Sequence, residues 1–399
     1  MAGATFRALR HRNFRLFFGG QLVSLVGTWM QNVALSWLVY KMTRSPLLLG
    51  LVGFAGQAPI FFLATVGGAV ADRRQRRELL VLTQTVSMLL AFALAGLELG
   101  GVARVWEIFV LAAALGSVNA FDIPTRQSFV VEMVGREDLG NAIALNSIMF
   151  NAARTLGPAV AGVVVAAIGE GWCFFANGLS FVAVIVSLLM IRVARRPIAA
   201  PPAQALAHAA EGFRFVWNTR AVRSVLLLLA TTSLVGMPYT VLMPIFADRV
   251  LHSGARALGL LMGASGVGAL LGGLALASRL AIAGIRRWIA VAAAVFGAAL
   301  VLFSRSHWLG SSLVLLVPVG AGMMVQMAAS NTVVQTMTPD PLRGRVMAVY
   351  AMTFMGMAPL GALVAGAAAA SFGAPATVAS GGVIALVAAA IFATRAAGP

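Results

Sequence analysis

The sequence predicts an all-α membrane protein with twelve transmembrane helices arranged as two pseudo-symmetric six-helix halves. Three observations lead there. Of the 399 residues 60% are hydrophobic and only 10% are charged, and mean hydropathy is +0.92. A soluble domain carries about 25% charged residues, because water must accept its surface, so most of this surface faces lipid. Apolar stretches of about 20 residues, enough to cross a bilayer, recur along the whole chain. Finally, features of the first half return about 200 residues later, as expected of duplicated transporter halves.

The expected spans are 14–39, 47–70, 79–99, 104–121, 139–168, 171–191, 222–246, 256–278, 286–304, 308–334, 341–370 and 374–394. The first is too long for a signal-peptide core and shows no clear cleavage site, so it reads as a retained span. Spans five and eleven are long and can begin as interfacial helix. The gap at 192–221 is the longest. It combines a basic, Pro-rich stretch with an amphipathic segment near 205–217, and reads as a linker on the membrane surface. The expected domains are therefore 1–191 and 222–399, joined by a cytoplasmic linker.

The net charge of +17 raises nucleic acid as a partner, but the basic residues sit in short gaps between apolar stretches rather than on a soluble face. The positive-inside rule explains them. With the N-terminus inside, the inner segments take Arg7, Arg10, Arg12, Arg15, the run from Arg73 to Arg77, Arg136, Arg192, Arg195, Arg196, Arg279, Arg343 and Arg345, among others. The outer ones hold only Lys41, Arg44, Arg104, Arg249, Arg256 and Arg305. Both termini are expected on the cytoplasmic side of a bacterial inner membrane. The single cysteine, Cys173, allows no intramolecular disulfide and no cysteine metal site. It is expected at the outer end of span six, open to an impermeant thiol reagent.

The repeat is clearest between 132–150, followed by Gly157 and Pro158, and 335–352, followed by Pro359 and Gly361. In each, an acidic or amide residue ends one helix, a charged turn follows, and a long Gly- and Pro-containing helix begins.

Residues 67–80 read GGAVADRRQRRELL. They resemble the major facilitator motif G-x-x-x-D-R-x-G-R-R, with Gly68, Asp72, Arg73, Arg76 and Arg77 in place and Gln75 where that family has glycine. Here Gly68 would let helix backbones approach closely, Asp72 would sit against a helix N-terminus, and the arginines would hold the loop inside. The segments at 26–50, 121–130, 141–147, 156–162, 237–251, 259–273 and 330–350 extend the resemblance over nearly the whole chain. The sequence is similar to the enterobactin-exporter-like, or transmembrane secretion effector, branch of the major facilitator superfamily. The resemblance implies two bundles rocking about a central cavity and export of siderophores, drugs or related amphiphiles, driven by an ion gradient, with the proton as the expected coupling ion. An importer of a small solute, or a non-transporting scaffold or sensor, stays open as the alternative. Gly157, Pro158 and Gly162 are similar to the span-five motif of proton-coupled antiporters, and would supply a bend and close packing on the opposite half.

Span four lacks the embedded arginine of many proton-coupled drug antiporters, and Asp122 is placed at its cytoplasmic end, where with Asp72 and Arg73 it would help lock the gate. Arg154 instead lies in span five, roughly 22 Å along the helix from its start. Ser147, Asn151, Arg154 and Pro158 share one face. A midplane arginine costs about 2.5–3.5 kcal/mol on insertion scales, so Arg154 should meet a cavity or a partner. It reads as an anion or cargo contact, with a structural hydrogen bond to the carbonyls of a broken helix as the alternative. Gln21, Ser24, Thr28 and Gln31 make a polar stripe on span one, and Gln57 and Gln326 are buried amides elsewhere; each can line a pore or join helices. There is no phosphate-binding G-x-x-x-x-G-K-[ST] loop, no catalytic cluster and no cofactor site, so an enzyme is not expected. The carboxylates all fall at expected helix ends or loops, which leaves the proton carrier unassigned.

Overall fold

The computed structural model describes residues 6–193, 205–277 and 284–396. Within them are twelve helices long and apolar enough to cross a membrane. In chain order they are span one (Arg12–Thr43), two (Pro46–Arg73), three (Arg76–Leu99), four (Val105–Val134), five (Leu139–Ile168) and six (Glu170–Met190). Span seven (Arg220–Val250), eight (Gly254–Ala277), nine (Ile285–Ser304), ten (Leu309–Met337), eleven (Asp340–Phe372) and twelve (Ala374–Thr394) follow. The amphipathic part of the linker is a helix, Ala205–Asn218; the basic, Pro-rich part at 194–204 lies outside the described residues, as does Arg279.

The chain divides into two compact units. One holds Met1–Met42 and Ala55–Pro201; the other holds Thr43–Phe54 and Pro202–Pro399. The first turns of span two thus pack with the second unit. The reason is the absence of side chains: a Cβ on Gly50 would lie 2.5 Å from the Ala362 carbonyl oxygen and 2.9 Å from the Gly366 Cα.

Each unit is held by a crossing of small residues. In the first, Gly67 of span two lies against Ala120 of span four, and Gly116 of span four against Gly56 of span two. In the second, Gly268 of span eight meets the Val317 carbonyl of span ten, and Gly320 meets that of Ser265. Lipid offers no hydrophobic drive for helix association, so backbone approach and dispersion supply it. The same crossing returns about two hundred residues on, which is the duplication stated in packing. Gly169, with φ 94°, and Gly373, with φ 84°, make the same one-residue turn between spans five and six and between eleven and twelve. Only glycine adopts such a backbone without strain.

Three expectations need correction. Span four does not stop near Phe121 but runs to Val134, because the charges beyond it are matched inside the unit. Span seven is not one regular helix. π-helical turns at Thr232–Gly236 and Phe246–Val250 flank a short α segment, Tyr239–Ile245. Pro238, which has no N–H to donate, separates the first turn from that segment. Cys173 does lie in the first turn of span six, but its side chain is fully buried, so an impermeant thiol reagent meets a closed surface there.

Candidate functional site

One end of the first unit is a network of arginines and helix ends. Arg76, 9% exposed, is its hub. Its Nη1 donates to the Ser128 carbonyl at 2.8 Å and to Glu132 Oε1 at 2.9 Å, and its Nη2 to Asp72 Oδ1 at 3.3 Å. Arg76 therefore ties the loop between spans two and three to the last turns of span four. Arg77 donates from Nε to the Leu188 carbonyl at 2.7 Å and from Nη2 to that of Leu189 at 2.9 Å. Arg12 donates to the Met190 carbonyl at 3.2 Å. These are the last carbonyls of span six, which have no partner within their own helix, and a cation there also complements the helix dipole. Asp72 and Arg73 are exposed.

Gly68 is not the close-approach residue. A Cβ there would meet nothing within 4 Å, whereas one on Gly67 would lie 2.0 Å from the Ala120 carbonyl oxygen. The two glycines are one residue apart, about 100° around a helix, and the packed face is that of Gly67.

At the same end, Asp138 binds Arg7 and lies 2.7 Å from His11 Nε2, while the Ala8 N–H donates to Asn141 Oδ1 at 2.9 Å. Hydrogen bonding to His11, and then to Arg7 with its charge, holds the Asp138 carboxyl below the usual carboxylate range against some loss of hydration. A depressed folded pKa stabilises above the unfolded value of about 3.9, and that contribution is lost as pH falls through the folded value. Acidification below about pH 4 should therefore release the 7–11 segment. Amide exchange at Ala8 should speed up there in the parent and show a flattened pH profile in Asp138→Asn; matching profiles would remove this role.

Asp122 lies elsewhere than the sequence placed it. It is inside span four, 3% exposed, and bonds to Thr83, Gln84 and Arg126 rather than to Asp72 or Arg73. It belongs to a separate network.

The polar stripe of span one divides. Gln21 accepts from Arg126 at 3.1 Å, and Gln31 accepts from Asn177 of span six at 2.8 Å, so both join helices inside the unit. Thr28 is half-buried and Gln57 is exposed. On span five, Ser147 is exposed while Asn151 and Arg154 are half-buried, and Asn151 donates to the Ser147 carbonyl at 2.8 Å. The Arg154 guanidinium lies over the Trp29 ring at 5.9 Å, and Trp29 meets Phe150 edge-on at 5.7 Å. Gly157 packs on span one: a Cβ there would lie 2.5 Å from Trp29 Cβ. Pro158 and Gly162 are buried within an uninterrupted helix.

In the second unit, Gln326 Nε2 donates to Thr232 Oγ1 at 2.8 Å. These two line a narrow cleft with Met237, Phe296, Met323 and Met327, beside the first π-turn of span seven, whose free volume is about 10 Å³. Ligand pockets usually hold about 300–1,000 Å³, so in this state the cleft has no room for a drug-sized cargo. The linker helix docks on the start of span eleven: Glu211 pairs with Arg345, and a Cβ on Gly212 would lie 2.8 Å from the Arg345 carbonyl oxygen. Its Phe213 and Trp217 rings stack in the open at 6.5 Å.

Glu132, Arg126 and the Lys41–Glu170 pair at 3.2 Å are contacts that sequence reading missed. The i+4 spacing of Asp122 and Arg126 was the one signal available for any of them. Among the described residues no group of three or more His, Cys, Asp or Glu could hold a metal ion.

Comparison with known proteins accords with this architecture. The structure superposes on the nucleoside transporter NupG with a TM-score of 0.74 at 13% identity, covering 98% of this chain and 100% of that one. It superposes on a bacterial homologue of the human lysosomal transporter Spinster with a TM-score of 0.76 at 14% identity, covering 96% of each. Such low identity speaks for the fold alone. The sequence is 26% identical to the staphyloferrin A transporter of Staphylococcus aureus over 90% of both chains. It is 29% identical to the multidrug efflux pump Tap of Mycolicibacterium fortuitum over 89% of both. To the enterobactin exporter EntS of Escherichia coli it is 26% identical, over 84% of this chain and 80% of that one. Residues 3–398 match the family described as transmembrane secretion effector, and this multi-pass membrane protein belongs to that family of major facilitator transporters, which are not enzymes.

Proposed function

We propose that the chain is a proton-driven exporter of small amphiphilic molecules, siderophore-like or drug-like, working by alternating access in a bacterial inner membrane with both termini cytoplasmic. The observation that carries this reading is the family match over 3–398 together with relatives whose names are those of a siderophore exporter and a drug efflux pump. The arginine distribution along the sequence supports the orientation. The Asp72, Arg73, Arg76 and Arg77 loop acts as a gate whose contacts favour one closed state. Ser147, Asn151 and Arg154 in one unit, and Gln326 in the other, contact cargo, with Thr28 and Gln57 as further candidates.

The test is efflux from intact cells. Cells expressing the chain and loaded with ethidium are expected to lose dye several-fold faster than cells without it, or to release more enterobactin or staphyloferrin A into the medium. Equal ethidium retention and equal release of both siderophores would end the export reading.

Arg154 gives a sharper check. Lysine keeps the charge but not the planar fork that stacks on an indole and binds oxyanions bidentately. Cargo-dependent thermal stabilisation should fall in Arg154→Lys and further in Arg154→Ala. An early-melting variant still stabilised by cargo as well as the parent would leave Arg154 a structural partner of Trp29.

A further inference from the structure

The linker helix presents a surface that neither the gate nor the cargo contacts use. Successive residues lie about 100° apart around a helix, and the exposures of this one fall into sectors. Gly212 and Val216 are buried against the unit. Phe213 and Trp217, each 58% exposed, form the next sector, and Arg214 and Asn218, also exposed, the one beyond. The docked face is thus flanked by a bare aromatic edge and then by a polar one. Arg223, near the start of span seven, closes over that edge. Its guanidinium lies over the Trp217 ring at 5.6 Å, and its Nη1 donates to the Trp217 carbonyl at 3.0 Å.

The surroundings are basic. One apolar cluster takes Val216 from the linker helix and Val222 from span seven, with Ile285 of span nine and Leu342 of span eleven packed against it. The linker helix and the starts of these three spans therefore meet at one end of the second unit. There Arg343 pairs with Asp340 and Arg345 with Glu211. Arg214, Arg220, Arg223, Arg286 and Arg287 have no carboxylate partner among the described residues, and Arg286 Nε is enclosed without a hydrogen bond. Guanidinium forks match oxyanions, whereas Trp and Phe rings at a wet edge match the boundary of an apolar phase. A phospholipid of net negative charge supplies both at once. Inorganic phosphate leaves the rings bare, and a zwitterionic lipid brings its own cation to the arginines.

We propose that the linker helix and the start of span seven form a docking surface for an anionic phospholipid. Phe213 and Trp217 enter the interfacial layer, where aromatic side chains settle. Arg214, Arg220 and Arg223 hold the headgroup phosphate, Arg223 from its seat on the Trp217 ring. Arg286 and Arg287 add to the attracting field at the same end of the unit. Lipid on one flank and the Glu211–Arg345 pair on another then fix the linker helix at the start of span eleven. The surface serves the chain whatever its cargo, so it stands apart from the export reading.

An arginine near an anionic surface contributes about fivefold in affinity. Phosphatidylglycerol titrated into the purified protein in a neutral detergent should raise its melting temperature. Replacing Arg214, Arg220 and Arg223 together by Gln should move the midpoint of that rise to lipid concentrations higher by about tenfold or more. Replacing Arg10, Arg74 and Arg136 by Gln, three exposed arginines of the first unit, removes the same charge and should leave the midpoint in place. Equal shifts in the two triple variants would make binding a matter of net charge and overturn the proposal. So would equal stabilisation of the parent by phosphatidylcholine or by inorganic phosphate, or none by phosphatidylglycerol. Trp217 gives a second measurement with every arginine intact, which decides even where the first triple variant does not fold. The chain has seven tryptophans, so the share of Trp217 is the emission lost in Trp217→Phe. In liposomes, phosphatidylglycerol brominated on its acyl chains should quench that share more strongly than brominated phosphatidylcholine at the same content. A share left unquenched, or quenched equally by both lipids, overturns the proposal.

Discussion

Gly67→Ala is expected to lower the thermal stability of the protein clearly, while Gly68→Ala leaves it nearly unchanged. The added methyl at position 67 would sit 2.0 Å from the Ala120 carbonyl oxygen. Both atoms belong to, or are fixed by, helix backbone, so neither can swing aside. Spans two and four must part, and overpacking of this kind costs about 1–3 kcal/mol, occasionally more. Gly67→Leu should cost more again. At position 68 the methyl meets open space, and the change should fall within about 0.5 kcal/mol. Melting curves of the three variants and the parent in one detergent decide it. Gly68→Ala as the worse variant would mean that the crossing of spans two and four is drawn one residue out.

Arg76→Gln should be the most damaging change in the arginine loop. It strips Glu132 and the Ser128 carbonyl of a charged donor in a largely buried place. Charged hydrogen bonds contribute about 1.5–3 kcal/mol each, and breaking a buried pair leaves its partner uncompensated. Because Glu132 keeps some exposure, at 20%, we expect a loss of about 2–3 kcal/mol together with loss of transport. Asp72→Asn makes the contrast. Asp72 is 59% exposed, and an exposed pair is worth about 0–1 kcal/mol, so the folded yield should hold. Transport should nevertheless slow strongly if the loop biases one closed state. Equal rates for Asp72→Asn and the parent at matched expression would leave the loop a topological signal only, and a stable Arg76→Gln would deny Arg76 its place as hub.

Those two pairs of variants also mark what could be read from the chain. The twelve spans were legible because length and hydropathy are local properties. The one-residue error at Gly67 arose because periodicity identifies a small-residue face only to within a turn, whereas crossings are set by neighbours. Asp122 reads as a helix end in the sequence because a charge in an apolar run usually ends a span; its partners Thr83 and Gln84 lie about forty residues away, beyond any spacing rule. Span seven reads as uninterrupted because prolines such as Pro238 and Pro244 are common in membrane helices, and nothing local says that the backbone will accommodate them with π-turns. Glu132 was visible only as part of the repeat. Its pairing with Arg76 depends on how the ends of spans two, three and four gather.

The measurement closest to the central claim uses purified protein alone in liposomes with an imposed pH gradient. Enterobactin, staphyloferrin A or ethidium should accumulate on the acidic side, reverse with the gradient, and stop when an ionophore collapses it. No accumulation with either polarity, or accumulation indifferent to the ionophore, would contradict a proton-driven exporter.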